Sequence, residues 1–512
     1  MTEISSNSTI AKNTILLYGR MLLLMVVSLY TSRVVLSVLG VIDNGIYNVV
    51  GGAVGMFSFL NGALSGATAR FLTYELARDN VDRQKQTFAA ALWAHILVAL
   101  VILLLLETIG IWFVNHKLDI PDERMVAARV AFHLSVVASM IGITQVPYSA
   151  SIIAHEKMGA FAYMSLLEAG LKLAICFLVL KAPFDKLITY AILILIVKTL
   201  IQFIYRLYCI RRFSECRLIK VKDASFFKPI LSFSFWDLLG NLSVVARNQG
   251  IDMILNMFFG PAINSAAGLA GTANGAVHGF ASNFLTAIKP PIFKSYSIGD
   301  YRKMEELMIT ASRFSYFLLA LLSVPFFFES QFIMSLWLKN PPDHTALFCS
   351  IGLAEDLLIA IFLPLVYAIH ASGKIRKMSI ISGCIWLMSV PISYIMLSLG
   401  LFPEVCYLVR IGLLFFIIPS NLIITKKNIP AFDIPLFLRK TILPSVLSIS
   451  LVLIFTYLVY RLFHDSSWQR FIVTGVTSSV TVCTTSFFIV FDRQTRTAVI
   501  RKARQLLSGK HV

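Results

Sequence analysis

The chain has 512 residues, of which 57% are hydrophobic and 14% charged, with a mean hydropathy of +0.78. Soluble domains carry about a quarter charged residues, so a soluble enzyme or scaffold is excluded and an all-α polytopic membrane protein is expected. The net charge of +18 would suit a nucleic-acid partner, but its placement along the chain makes it a topology signal instead.

In chain order, the first dozen residues are polar and no small-residue cleavage site follows, so the first span is expected to be a retained helix. Apolar runs of ~20 residues, enough to cross a hydrocarbon core of ~30 Å, fall at 13–36, 46–70, 88–114, 126–153, 160–181 and 187–209. A second set falls at 229–259, 262–288, 309–337, 346–371, 378–399, 402–424, 438–461 and 469–491. This predicts fourteen transmembrane helices, six followed by eight. Pro147, Pro325, Pro364, Pro391 and Pro419 lie within spans and are expected to kink them.

With the N-terminus inside, thirty Lys and Arg fall in inner segments and seven in outer loops. That bias fits the positive-inside rule only for an even number of spans, with both termini cytoplasmic. Trp112, Trp337 and Trp468 fall at outer ends, where indole rings favour the interface. No loop is long enough to form a second domain, which argues against an enzyme. Asp43, the acid of the first outer loop, reads as a helix-end residue. No Gly-rich phosphate loop with its Lys and Ser/Thr is found. The seven cysteines show neither metal-ligand spacing nor paired external placement, so they read as packing residues. No cofactor or metal site is expected, and His133, His278 and His370 read as hydrogen-bonding groups within the bundle.

Two stretches 220 residues apart share spaced small residues: Gly40, Asn44, Gly51, Ala53 and Gly55, then Gly260, Asn264, Gly271, Ala273 and Gly275. This is an internal repeat of a helix pair, which makes spans 7 and 8 the counterparts of spans 1 and 2. Parallel repeats of this kind are common in transporters. Gly51 with Gly55, and Gly62 with Gly66, also form GxxxG pairs, whose default meaning is close helix packing.

Eight cations fall inside spans: Arg20, Arg33, Arg129, Lys172, Lys198, Arg247, Arg313 and Arg410. Each costs about 2.5–3.5 kcal/mol at a helix centre, so such residues face a partner, a bundle interior or a wet cavity. Arg129 and Arg313 lie near span ends and are expected to snorkel. Lys172 lies one turn after Glu168 and the two read as a neutralising pair. Arg20 and Arg33 have no acid in their own span, and Arg247 lies on its repeat partner, so a cationic, phosphate-binding cavity is expected there, with Lys172, Lys198 and Arg410 as further members. Asp237, Asn241, Asn248 and Asp252 fall within an arc of about 60° on the seventh span. With Glu355 and Asp356 on the tenth, these carboxylates form either a Na⁺ or H⁺ coupling site or an ion pair with Arg247.

Residues 13–76, including SRVVLSVLGVIDNGIYNVVGG at 32–52, resemble the start of bacterial polysaccharide flippases. These form the Wzx-type branch of the multidrug, oligosaccharidyl-lipid and polysaccharide exporter superfamily. The resemblance implies two six-helix lobes, at 1–222 and 223–432, facing each other across a cavity, with two extra spans and a basic tail at 433–512. It implies an inner-membrane flippase that turns an undecaprenyl-pyrophosphate-linked oligosaccharide outward for O-antigen, capsule or exopolysaccharide assembly, with polysaccharide polymerase machinery as a partner. Related peptidoglycan-precursor flippases carry a sodium site that maps loosely onto Asp237 or Asp252 with Glu355 or Asp356. The alternatives are a cation-coupled multidrug exporter of the same fold and a membrane enzyme acting on lipid-linked sugars.

Overall fold

The structure is a computed structural model. It describes residues 7–55, 68, 72, 75, 80–155, 157–217, 219, 242–463, 468–493, 495–497 and 500, with side chains from residue 22 onward except at 153, 158, 161, 162, 283, 286, 287, 290, 294 and 297. In hydrocarbon every backbone N–H and C=O must be satisfied within the chain, and the apolar runs accordingly form helices. These are α1 (Asn7–Gly55), α2 (Val81–His116), α3 (Asp122–Ala154), α4 (Met158–Lys181) and α5 (Lys186–Arg212). Then come α6 (Ile251–Phe259), preceded by a π-helical turn at Ala246–Gly250, α7 (Pro261–Ser297), α8 (Tyr301–Leu338), α9 (Thr345–Ala371), α10 (Arg376–Ser398), α11 (Val405–Asn428), α12 (Ile434–Tyr460) and α13 (Trp468–Val490). Eleven helices among the described residues are long and apolar enough to cross a membrane. Most of the second predicted span and the start of the seventh, with Gly62, Gly66, Asp237 and Asn241, lie outside the described residues.

Water-side helix starts carry the expected caps. Asn80, Asp185, Asp300 and Asp433 each accept a backbone N–H three residues on, at 3.0–3.1 Å. Such a cap satisfies one of the free donors of the first turn.

The repeat shows itself in the backbone. Gly40 (φ 79°, ψ 174°) and Gly260 (φ 71°, ψ −172°) hold nearly the same conformation, one that is essentially closed to side chains. The expected outer loop between spans 1 and 2 is therefore a single glycine kink inside α1. Gly260 likewise turns the chain in one residue, and Pro261 opens α7 with a ring already set for the first helical position.

The chain divides into two compact units. The first comprises Met1–Thr272 and Trp386–Cys406. Its core has one layer built on Phe88, Tyr148, Ile175, Ile201 and Tyr205 and a second on Ile46, Val50, Ile102, Phe132 and Val136. Leu97, Leu104, Ile109 and Val126 are each at least 60% exposed, the apolar outer belt of a membrane protein.

The second unit comprises Ala273–Ile385 and Tyr407–Val512. Its core gathers Ile292, Met308, Leu365, Phe432 and Phe437. Two ion pairs fasten the last helices to α8: Arg470 to Glu329 at 2.8 Å and Arg313 to Asp492 at 2.8 Å. Arg313 does not snorkel as expected. It is 6% exposed, and its Nε donates to the Lys440 carbonyl at 2.9 Å. The π-helical turn at Leu438–Ile442 brings that carbonyl within reach.

Candidate functional site

Within the first unit the two copies of the repeat meet at their turns. Asn44 Nδ2 donates to Ser265 Oγ at 2.7 Å. A methyl group on Gly45 would lie 1.7 Å from the Pro261 carbonyl oxygen, and one on Gly268 would lie 2.6 Å from Asn48 Nδ2. Asn48 and Gly268 occupy equivalent positions of the repeat. Asn264, the counterpart of Asn44, instead braces its own turn: it accepts from Asn256 at 2.8 Å and donates to the Asp252 carbonyl at 2.6 Å. The first copy reaches across the junction while the second secures itself.

Beside this junction lies a cavity of about 490 Å³ among α1, α3, α4 and α5. One wall is a stripe on α3 (Ser135, Ser139, Gly142, Gln145 and Ser149), and the opposite wall is Tyr47, Gly51 and Gly55. Both stripes recur every three or four residues, the spacing of one helix face. Methyl groups on Gly51 and Gly142 would meet no atom within 4 Å. Among the described residues Gly51 therefore faces open volume. Gly55 does meet a neighbour, the Gln249 amide.

Near the middle of α4, Glu168 binds two ammonium groups through one oxygen, Lys172 Nζ at 2.8 Å and Lys198 Nζ at 2.8 Å. Glu168 and Lys198 line the cavity. The Glu168–Lys172 pair was legible from its i,i+4 spacing. The arrival of Lys198 from α5 was not, because no sequence spacing relates it to Glu168.

The other predicted residues sit apart from this cluster. Arg33 is half-buried on α1, and Arg20 lies on the same helix with its side chain outside the described residues. Arg247 occupies the π-helical turn before α6, where its guanidinium stacks 4.4 Å from the Trp386 ring and Nε donates to Asn248 at 3.2 Å. Such cation–π contacts stabilise by about 0.5–2 kcal/mol. Gly250 admits the close approach of Val390. Asp252 follows at the start of α6.

In the second unit Glu355 and Arg410 form a bidentate pair, Nη2 to Oε2 at 2.7 Å and Nε to Oε1 at 3.2 Å. Asp356 lies 3.5 Å from His278 Nδ1. Asp237 lies outside the described residues. His133 bonds Glu107 at 3.0 Å, and Arg129 donates to Asn115 at 2.8 Å.

At the end of the first unit where Gly40 turns, Arg124 clamps Asp43 at 2.6 Å and Asp185 at 2.6 Å. Sequence reasoning missed this three-way clamp, since its members come from three helices. Burial pushes the Asp185 carboxyl up, but hydrogen bonds from Arg124 and the Ile188 N–H outweigh it and hold the group below its ordinary value of 3.8.

No known family model matches the chain, and no curated protein does. Solved structures share its fold. The chain is similar to the lipid II flippase MurJ in an inward closed conformation, with TM-score 0.69 and 14% identity over 93% of this chain and 98% of that one. It is similar to the eukaryotic MATE transporter AtDTX14, with TM-score 0.57 and 15% identity over 84% of this chain and 96% of that one. An inward-facing multidrug resistance MATE family transporter of the MOP superfamily matches with TM-score 0.53 and 11% identity over 93% and 96%. At these identities the likeness is one of fold: this is an all-α polytopic membrane protein with the architecture of MurJ and the MATE transporters.

Proposed function

We propose that the protein is an alternating-access flippase that moves an anionic lipid-linked oligosaccharide, of the undecaprenyl-pyrophosphate class, from the inner to the outer leaflet of a bacterial inner membrane, with both termini cytoplasmic. A duplicated helix pair meeting at matched glycine turns supports transport, since parallel repeats, related by an axis along the membrane normal, supply two halves that can rock against each other. The same fold serves a lipid II flippase and multidrug transporters, so fold does not choose the cargo.

The sign of the charge beside the cavity carries that choice. Two lysines share one carboxylate beside the cavity, an environment that favours an anionic headgroup and disfavours a cationic drug. Arg247, with Arg20 and Arg33, is assigned to the pyrophosphate, whose oxygens suit guanidinium forks. The lobes at 1–222 and 223–432 are the proposed moving halves. Ion coupling by Na⁺ or H⁺ is assigned to Asp237, Asp252 and Asp356, and not to Glu355, which Arg410 holds.

The test is complementation of a deletion strain. Variants Arg33→Ala and Arg247→Ala, shown to be inserted at normal level, are expected to lose most surface polysaccharide. Full restoration by both would sink the proposal. Drug susceptibility of the deletion strain is expected to be unchanged, and broad sensitisation would favour the multidrug exporter.

A further inference from the structure

We infer that the cavity of the first unit is a sugar subsite built for a carboxylate-bearing residue, so that the cargo is an acidic oligosaccharide; this rests on the flippase reading. Its first support is charge balance. Glu168 is bonded by Lys172 and Lys198 at 2.8 Å each; among the described residues Glu168 and Lys198 are the charged members of the cavity lining, and Lys172 stands outside it. Two cations against one anion leave this cluster with one net positive charge midway along α4, and charge inside a membrane span is expensive. A ligand carboxylate on Lys198 would leave Lys172 with Glu168 and produce two balanced pairs. A phosphomonoester carries about −1.5 to −2 and would overshoot.

Its second support is shape and lining. A volume of about 490 Å³ falls in the range of small-molecule sites, about 300–1,000 Å³. The wall facing Lys198 presents the hydroxyl and amide groups of Ser135, Ser139 and Gln145, which both donate and accept and so match sugar hydroxyls, while Ser149, whose hydroxyl donates to the Val146 carbonyl at 2.9 Å, offers an acceptor. Gly51 and Gly142 keep the space open. An apolar lipid chain would leave Ser135, Ser139 and Gln145 without partners, and a simple structural ion pair needs neither the cavity nor the second lysine.

The experiment uses the full-length protein in lipid nanodiscs, titrated calorimetrically with trigalacturonate, with neutral maltotriose and inorganic pyrophosphate as comparators. Trigalacturonate is expected to bind at least about tenfold more tightly than maltotriose, as a charge-assisted hydrogen bond would give. Lys198→Gln should remove that advantage while Lys198→Arg keeps it, and Gly142→Leu, which fills the cavity, should abolish binding of both sugars at unchanged melting temperature. Equal binding of both sugars, a Lys198→Gln variant that binds as the parent does, or Lys198-dependent pyrophosphate binding without trigalacturonate binding would each overturn the inference.

Proteoliposome flipping separates it from the reading beneath it. If neutral and acidic lipid-linked oligosaccharides are flipped equally, the acidic-sugar inference fails and the flippase stands. If trigalacturonate binds as described but neither lipid is flipped, the subsite stands and the flippase reading fails.

Discussion

Replacing Arg410 by Met removes one half of a buried ion pair, and its consequence can be worked from the geometry. Glu355 has a side chain only 1% exposed and Arg410 one 14% exposed, joined at 2.7 Å, with the Tyr407 ring 5.1 Å from the guanidinium. Little water reaches the pair, so screening is weak and the carboxylate stranded by Arg410→Met cannot rehydrate. Breaking such a pair costs about 3–5 kcal/mol, whereas replacing both partners with apolar groups of similar volume is close to neutral. The cycle of Arg410→Met, Glu355→Met and the double variant is therefore expected to give a coupling energy of about 3 kcal/mol or more, the double being more stable than either single. Reversible unfolding in mixed micelles with increasing sodium dodecyl sulfate measures each corner. Single losses that add in the double variant to within about 0.5 kcal/mol would refute the pair as a structural unit and return Glu355 to the coupling-ion candidates.

Gly45→Ala is expected to destabilise the repeat junction by at least about 1–3 kcal/mol, because the added carbon would sit 1.7 Å from a backbone oxygen that cannot step aside. Gly51→Ala, opening onto free space, should leave the melting temperature nearly unchanged, and equal effects of the two would contradict the packing described. At Gly40 the strain is purely conformational, since nothing lies within 4 Å and φ is +79°. Gly40→Ala should cost about 1–3 kcal/mol, detectable in the same micelle unfolding, and no cost would mean the kink is not held. The Asp185 carboxyl, held below its ordinary value of 3.8, contributes stability that is fully present above that value and lost as pH falls through the lower folded value. An Asp185→Asn variant should accordingly lose stability at pH 6 relative to the parent and converge with it in strong acid. A constant gap down to the lowest pH would show that the Arg124 clamp does not bind protons differentially.

Features set by local spacing were legible before any coordinates. Glu168 and Lys172 face each other because four residues make nearly one turn, and the repeat announced itself through Gly40 and Gly260 because only glycine fits their backbone angles. The helices appeared where apolar runs lay, as a medium without hydrogen-bonding solvent demands. Features depending on which helices become neighbours were illegible. Arg313 looked like a snorkelling residue and instead found Asp492, 179 positions away. Lys198 was expected in a cationic cavity with no acid assigned to it, and it joined Glu168 across α4 and α5.

The amino-acid sequence by itself determined the membrane class, the helical segments and the duplication, because each follows from local composition, local spacing or positional self-similarity. Tertiary structure decided how the charges are shared. Only packing brings two lysines onto one carboxylate beside an open cavity, closes Arg410 onto Glu355, and sets Asn48 against Gly268 at the junction. Coulombic and hydrogen-bond energies depend on distances of a few ångströms between segments far apart in the chain, which no sequence period records.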